Sequence, residues 1–208
     1  MALKRKENQD MKTGILDIRT FTNQYISDLT SLLERFDTDQ FEKIVELILD
    51  AYDRGNNIFI MGNGGSASTA SHFACDINKG CCIDLEKKFK VICLNDNIPT
   101  MLALSNDISY ESIFVEQMKN FFNSGDLVIG ISGSGNSENV LRAIKYGNEN
   151  NGRTIGLSGF SGGNLSKLVD VSFVADIDDM QKVEDIHMII VHMIMQAIDS
   201  ALHPATDR

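Results

Sequence analysis

Two glycine-rich segments of the chain carry residue types that can hold an anion. One is Gly62-Asn63-Gly64-Gly65-Ser66, with a helical pattern beginning near Ala67. The other is Ser132-Gly133-Ser134-Gly135-Asn136-Ser137, with a helical pattern beginning near Glu138. Glycine lets the backbone approach a ligand closely, and a helix N-terminus adds unpaired N–H groups and partial positive charge, a combination suited to phosphate. Three serines within the second segment add hydroxyl donors. Either segment alone could be a capped turn, with Asn136 or Ser137 as cap, but two such loops at the ends of non-adjacent strands favour binding. No GxxxxGK[ST] occurs, which excludes a P-loop site, and neither Gly62-x-Gly64 nor Gly133-x-Gly135 has a glycine three positions on, which disfavours a dinucleotide site. The phosphate expected is that of a sugar.

A second set of residues is titratable. His72 and Asp76, four apart, share a helical face. Glu184, His187 and His192 fall on one side of a later helix or its flank, since an eight-residue step turns by roughly 80° at 3.6 residues per turn. Two imidazoles and two carboxylates can make a metal site or an acid–base site. His72 and Asp76 could equally be a surface pair, and His187, between Ile186 and Met188, suits a hydrogen-bonded core histidine. His203 is read as part of a frayed tail. The four cysteines, Cys75, Cys81, Cys82 and Cys93, contain no CxxC pair and read as reduced thiols. A zinc knot joining them to His72 is the sharper alternative and lacks a recognised spacing.

These residues need a scaffold, and the apolar pattern supplies one. Apolar positions at three- and four-residue spacing predict two N-terminal helices within residues 13–55, the second capped by Asp37 or Thr38 and ended by Gly55. Five short apolar runs follow, at 58–61, 89–94, 127–131, 154–157 and 171–174, mostly separated by segments of helical period. Near-continuous apolar strands alternating with helices predict a parallel sheet covered on both faces. The expected fold is a single α/β domain over residues 1–208, a three-layer sandwich with a five-stranded parallel flavodoxin-like sheet. Ligands of such sheets collect at the carboxyl ends of the strands. A C-terminal helix over 181–202 is apolar on more than one face, which predicts burial against another subunit as well as the sheet.

The bulk composition agrees with that scaffold. With 29 acidic and 19 basic residues the formal net charge is −10, which disfavours nucleic acid as a partner. No apolar run reaches the ~18 residues of a membrane helix, and the charged first ten residues have no apolar h-region. A cytoplasmic protein without a membrane partner is expected.

Together the motifs resemble the sugar isomerase (SIS) domain family, and within it the phosphoheptose isomerases, which act on sedoheptulose 7-phosphate. The resemblance rests on residues 62–66, His72-Phe73-Ala74, Asn106-Asp107 with Tyr110-Glu111 and Phe114, Ser132-x-Ser134-Gly-Asn-Ser137, and Ile186-His187, in order from the N-terminal helices to about Ile198. It implies aldose–ketose isomerisation of a sugar phosphate through an enediol(ate), in a homotetramer whose sites lie between subunits. It implies substrate contacts at Asn63, Gly64, Gly65, Ser66, Asn106, Asp107, Ser132, Gly133, Ser134, Asn136 and Ser137. It places one divalent metal, zinc, per subunit on His72, Asp76, Glu184 and His192, and proton transfer on Asp76, His192 and Glu184. Ligation and proton transfer compete for the same nitrogen of His192. The family pattern at positions 72, 76, 184 and 192 is His, Glu, Gln and His, so Asp76 and Glu184 depart from it. Gly133 stands where threonine is frequent, and Thr69 where aspartate is common. The two carboxyl changes can compensate, with Glu184 as base and Asp76 on the metal. An isomerase of another ketose phosphate, or a non-catalytic SIS module of the kind that binds a replication initiator, are the rival readings.

Overall fold

The five apolar runs become five parallel strands. In the computed structural model, which describes residues 17–203, β1 (Ile58–Gly62), β2 (Val91–Cys93), β3 (Leu127–Ser132), β4 (Arg153–Gly159) and β5 (Val171–Ala175) form one sheet. The strand order is β2-β1-β3-β4-β5, the flavodoxin-like order. β1 and β3, though not successive in the chain, are neighbours in register, with Gly62 opposite Ile131. The two glycine-rich loops therefore emerge side by side. The chain leaves β1 toward one edge of the sheet and β3 toward the other, so the loops flank the topological switch point. The predicted run 89–94 pairs only as Val91–Cys93. As an edge strand, β2 has a hydrogen-bonded neighbour on one side alone, and its flanks add one bond each to β1: the Ile58 N–H donates to the Lys90 carbonyl and the Leu94 N–H to the Ile60 carbonyl, both at 3.0 Å.

Among the described residues eight α-helices accompany the strands. The N-terminal pair is α1 (Ile18–Glu34) and α2 (Thr38–Arg54); residues 13–16 of the predicted range lie outside the described residues. Asp37 caps α2 by accepting from the Gln40 N–H, and Gly55 ends it at φ 70°. α3 (Gly65–Cys75) runs on into a π-helical turn (Asp76–Cys81), α4 (Ile98–Asp107) and α5 (Ile113–Lys119) precede β3, and α6 (Glu138–Glu149), α7 (Leu165–Leu168) and α8 (Met180–Leu202) complete the order. α2, α3 and α8 cover one sheet face, closing a core with Ile58, Ile60, Ile129 and Leu157. α5 and α6 cover the other over Phe59, Met61 and Val128. Burying each such side chain contributes about 1.5–3 kcal/mol.

α8 answers two expectations. It is 23 residues long and an 18-residue window of it has a mean hydropathy of 1.2, so among the described residues one helix is long and apolar enough to cross a membrane. Its Val183, Ile186, Ile190, Val191, Ile194 and Ile198 are instead packed into the core. His187 is a core histidine: it is fully buried, and its Nε2 lies 3.0 Å from the Ser158 carbonyl. Burial pushes its pKa down to about 4. An unfolded chain takes up that proton below about pH 6.5, whereas the folded one refuses it until about pH 4, so this group's contribution is fully present above 6.5 and fades below it. The expected result is about 2–3 kcal/mol less stability at pH 4.5 than at pH 7 from this residue alone. Denaturant melts of His187→Gln and the parent at both pH values check it: the variant must lose the smaller amount. His203, expected in a frayed tail, instead bonds Asp199 at 3.0 Å.

Candidate functional site

Loops 62–66 and 132–137 face each other across the carboxyl ends of β1 and β3 and line a cleft of ≈ 270 Å³. Asn63, Gly64, Gly65, Ser66, Ser132, Gly133, Ser134 and Ser137 all contribute to its wall, and Glu184 and Met180 reach it from the first turns of α8. Asn136 is turned the other way, its Nδ2 donating to the Ser134 carbonyl. The second loop is tightened from within: the Ser132 hydroxyl donates to the Ser137 hydroxyl at 3.0 Å, and the Gly135 N–H to the Ser132 carbonyl at 2.8 Å. Ser137 is the N-cap of α6 by position, yet its side chain makes no capping bond. Gly64 caps α3 without a side chain at all. Both helices thus open toward the cleft without a bond from their N-cap side chain, and in α6 only the Val140 N–H is taken by a side chain, Asn139 Oδ1 at 2.9 Å, an arrangement that suits phosphate.

The first loop is held by two asparagines that the sequence did not single out. Asn95, after β2, accepts from the Gly62 N–H at 3.1 Å and donates to the Gly62 carbonyl at 2.8 Å. Asn139, on α6 and 2% exposed, exchanges two hydrogen bonds of 2.9 Å with the Asn63 amide. The Tyr110 hydroxyl donates to Asn63 Oδ1 at 2.8 Å.

α8 explains two of the glycines. A Cβ built on Gly133 would fall on the sulfur of Met180, and one built on Gly65 would fall on the carboxylate of Glu184. Positions 180 and 184 are one turn apart, so a single face of α8 plugs both loops. The hydroxyl missing at Gly133 is therefore matched by a thioether that fills its space. The start of α8 is itself fixed: Lys182, 8% exposed, bridges Asp28 at 3.1 Å and Asp179 at 2.7 Å, while Tyr25 of α1 donates to Asp185 at 2.6 Å. Gly65→Ala should keep the fold but displace Glu184; a misplacement of about 1 Å can cost on the order of 10²-fold in rate. A circular-dichroism melt close to that of the parent beside a kcat lowered at least 10-fold is the expected pair of results.

The titratable residues separate into two groups. His72 Nε2 lies 2.8 Å from His192 Nε2 and 3.2 Å from Asp76 Oδ2. The three residues offer ligand atoms all within 4.8 Å of one another. Two nitrogen lone pairs and a carboxylate oxygen converging so closely suit a divalent cation with a coordination position left open. Glu184 is not among them. It precedes His192 by eight residues, about 12 Å of helix, and lines the cleft instead. No cysteine joins the cluster: all four thiols are free, and burial pushes Cys81 up to about 12. Asn106 and Asp107 are not brought to the cleft either. They sit exposed in the last turn of α4, bonded to each other at 2.7 Å.

The family described as SIS domain matches residues 24–159. Phosphoheptose isomerase 1 of Campylobacter jejuni is 38% identical over 162 residues, spanning 78% of this chain and 87% of its own. The phosphoheptose isomerase of Aliarcobacter butzleri is 35% identical over 164 residues, 79% of this chain and 86% of its own. Among solved structures, phosphoheptose isomerase GmhA from Neisseria gonorrhoeae superposes with a TM-score of 0.80 at 26% identity, covering 88% of this chain and 97% of that one.

Proposed function

The chain belongs to the SIS domain family and, within it, to the phosphoheptose isomerases, and on that premise we propose that it interconverts sedoheptulose 7-phosphate and an aldoheptose 7-phosphate through an enediolate. The observation that carries the reading is the cleft at the β1–β3 switch point, where the serine-rich loop, the glycine loop and a carboxylate share one wall. The phosphate sits at the N-terminus of α6, among the hydroxyls of Ser132, Ser134 and Ser137. The sugar then extends out of the phosphate loop so that C1 meets Glu184 and the carbonyl oxygen faces the His72 side of α3.

Glu184 is assigned as the base. It removes a proton from C1 of the ketose, leaving the enediolate, and returns a proton to C2 to give the aldose. His72, Asp76 and His192 are assigned to a divalent ion, for which zinc is the proposal; bound there, it would supply Lewis-acid polarisation of the carbonyl. With both Nε2 atoms turned onto one point, His192 is given to ligation and not to proton transfer. The departures at 76 and 184 are read together: the shorter Asp76 stays with the histidines, and the acidic Glu184 provides the base.

The assembly proposed is a homotetramer. α1 has no buried residue and leaves Ile18, Phe21, Ile26 and Leu33 exposed, an apolar face that suits a second copy. The test of function is direct: the metal-loaded protein is incubated with sedoheptulose 7-phosphate beside a panel of other ketose phosphates. Aldose product from the heptulose, faster than from the others, is expected; product only from another ketose would reassign the substrate.

A further inference from the structure

The serine-rich loop after β3 lies back to back with the turn after β4, and its carbonyls from Ser132 to Gly135 are all taken by protein donors. The Ser132 carbonyl accepts from the Gly135 N–H at 2.8 Å, and the Gly133 carbonyl from the Gly159 N–H at 2.8 Å. The Gly135 carbonyl accepts twice from the turn, from the Asn164 N–H at 3.0 Å and the Leu165 N–H at 2.9 Å. The Ser134 carbonyl takes a side chain instead: Asn136 Nδ2 donates to it at 2.8 Å. Asn136 Oδ1 accepts from the Asn164 N–H at 3.1 Å, so one amide joins the loop to the turn. The Asn136 N–H donates to Ser134 Oγ at 3.2 Å, which leaves that hydroxyl's own hydrogen free to donate.

Loop and turn meet without slack. A Cβ built on Gly163 would fall on the Ser134 carbonyl, and one built on Gly135 would fall on the Gly162 carbonyl. Phe160 opens the turn at φ 51°, a region that non-glycine residues enter only where their surroundings hold them, and its side chain packs against the core. We infer that Asn136 and the turn 159–165 are positioning elements that hold the carbonyls of the phosphate loop away from the anion, and that Asn136 itself touches no substrate. The inference rests on the phosphate site of the isomerase reading above. A carbonyl oxygen aimed at a phosphate repels it. The same carbonyl bonded to the turn leaves hydroxyls and helix N–H groups as what the cleft presents. Asn136 is exposed and is not part of the cleft wall, which sets its amide behind the loop.

The test compares Asn136→Ala, Gly163→Ala and the double variant with the parent, by calorimetric binding of inorganic phosphate and by kinetics with sedoheptulose 7-phosphate. Each single variant is expected to weaken phosphate and to raise KM by about 10-fold. Bound metal should be unchanged and kcat should stay within about threefold, because the loss is one of ground-state grip. The double variant should be no weaker than the worse single one, since both release the same loop. Weakening in Asn136→Ala with full affinity in Gly163→Ala would make Asn136 a direct contact and overturn the inference. Losses that add in the double variant would overturn it too, as would a kcat that falls while phosphate binding holds. Should Gly163→Ala fail to fold, amide exchange decides: saturating phosphate should slow exchange at Asn164 and Leu165 in the parent and much less in Asn136→Ala. Exchange there that ignores phosphate in the parent would overturn the inference. Parent protein that binds phosphate, with weakened variants, but isomerises no ketose phosphate supports the inference and sinks the isomerase reading. An active parent whose variants bind phosphate as it does sinks only the inference.

Discussion

Glu184→Gln is expected to lower kcat by about 10³-fold, within the range that positioned acid–base groups supply. The substitution keeps the length and shape of a side chain that fills the niche beside Gly65, so the loop and the cleft should hold their form. KM and bound metal should stay within a few-fold of the parent, because Glu184 stands apart from the His72, Asp76 and His192 cluster. Steady-state kinetics with a metal assay on the same sample separate the outcomes. Full activity in the variant removes Glu184 from proton transfer, and lost metal with lost activity makes it a ligand.

His192→Ala should act through the other half of the site. It removes one of two ring nitrogens 2.8 Å apart and leaves His72 and Asp76 as two ligands where three converged. Metal content after dialysis should fall below a tenth of an equivalent per chain, and kcat by about 10³-fold or more, on the scale that carbonyl polarisation by a metal contributes several kcal/mol. Stability should change little, since His192 is exposed on α8 while its neighbours Val191 and Ile194 carry the packing. A variant that keeps a full equivalent of metal would contradict the assignment of this cluster.

The two predictions draw on different amounts of legibility in the sequence. The loops were readable because their glycines and serines are consecutive, and the sheet because buried parallel strands such as Leu127–Ser132 are apolar throughout. The pairing of His72 with Asp76 was readable for the same local reason, four residues being one helical turn. Its approach to His192, 120 residues away, was not, since only tertiary packing brings α8 against α3. Spacing placed Glu184 and His192 on one flank of α8 but hid the distance between them along the axis, which sends the carboxylate to the cleft and the imidazole to the cluster. Asn139 was invisible as a partner because its amide answers one 76 residues earlier. The vacancy at Gly133 likewise made sense only with Met180 in place. Asn106 and Asp107 were carried by resemblance alone, and within one chain they face outward.

The central claim is that the cleft and the cluster together move a proton between C1 and C2 of a ketose phosphate. The most direct measurement is proton NMR of sedoheptulose 7-phosphate in D₂O with the metal-loaded protein. Deuterium appearing at C1 of the ketose and at C2 of a newly formed aldoheptose 7-phosphate, and greatly slowed in Glu184→Gln, is the predicted result. Heptulose that binds but shows neither exchange at C1 nor any aldose would contradict it.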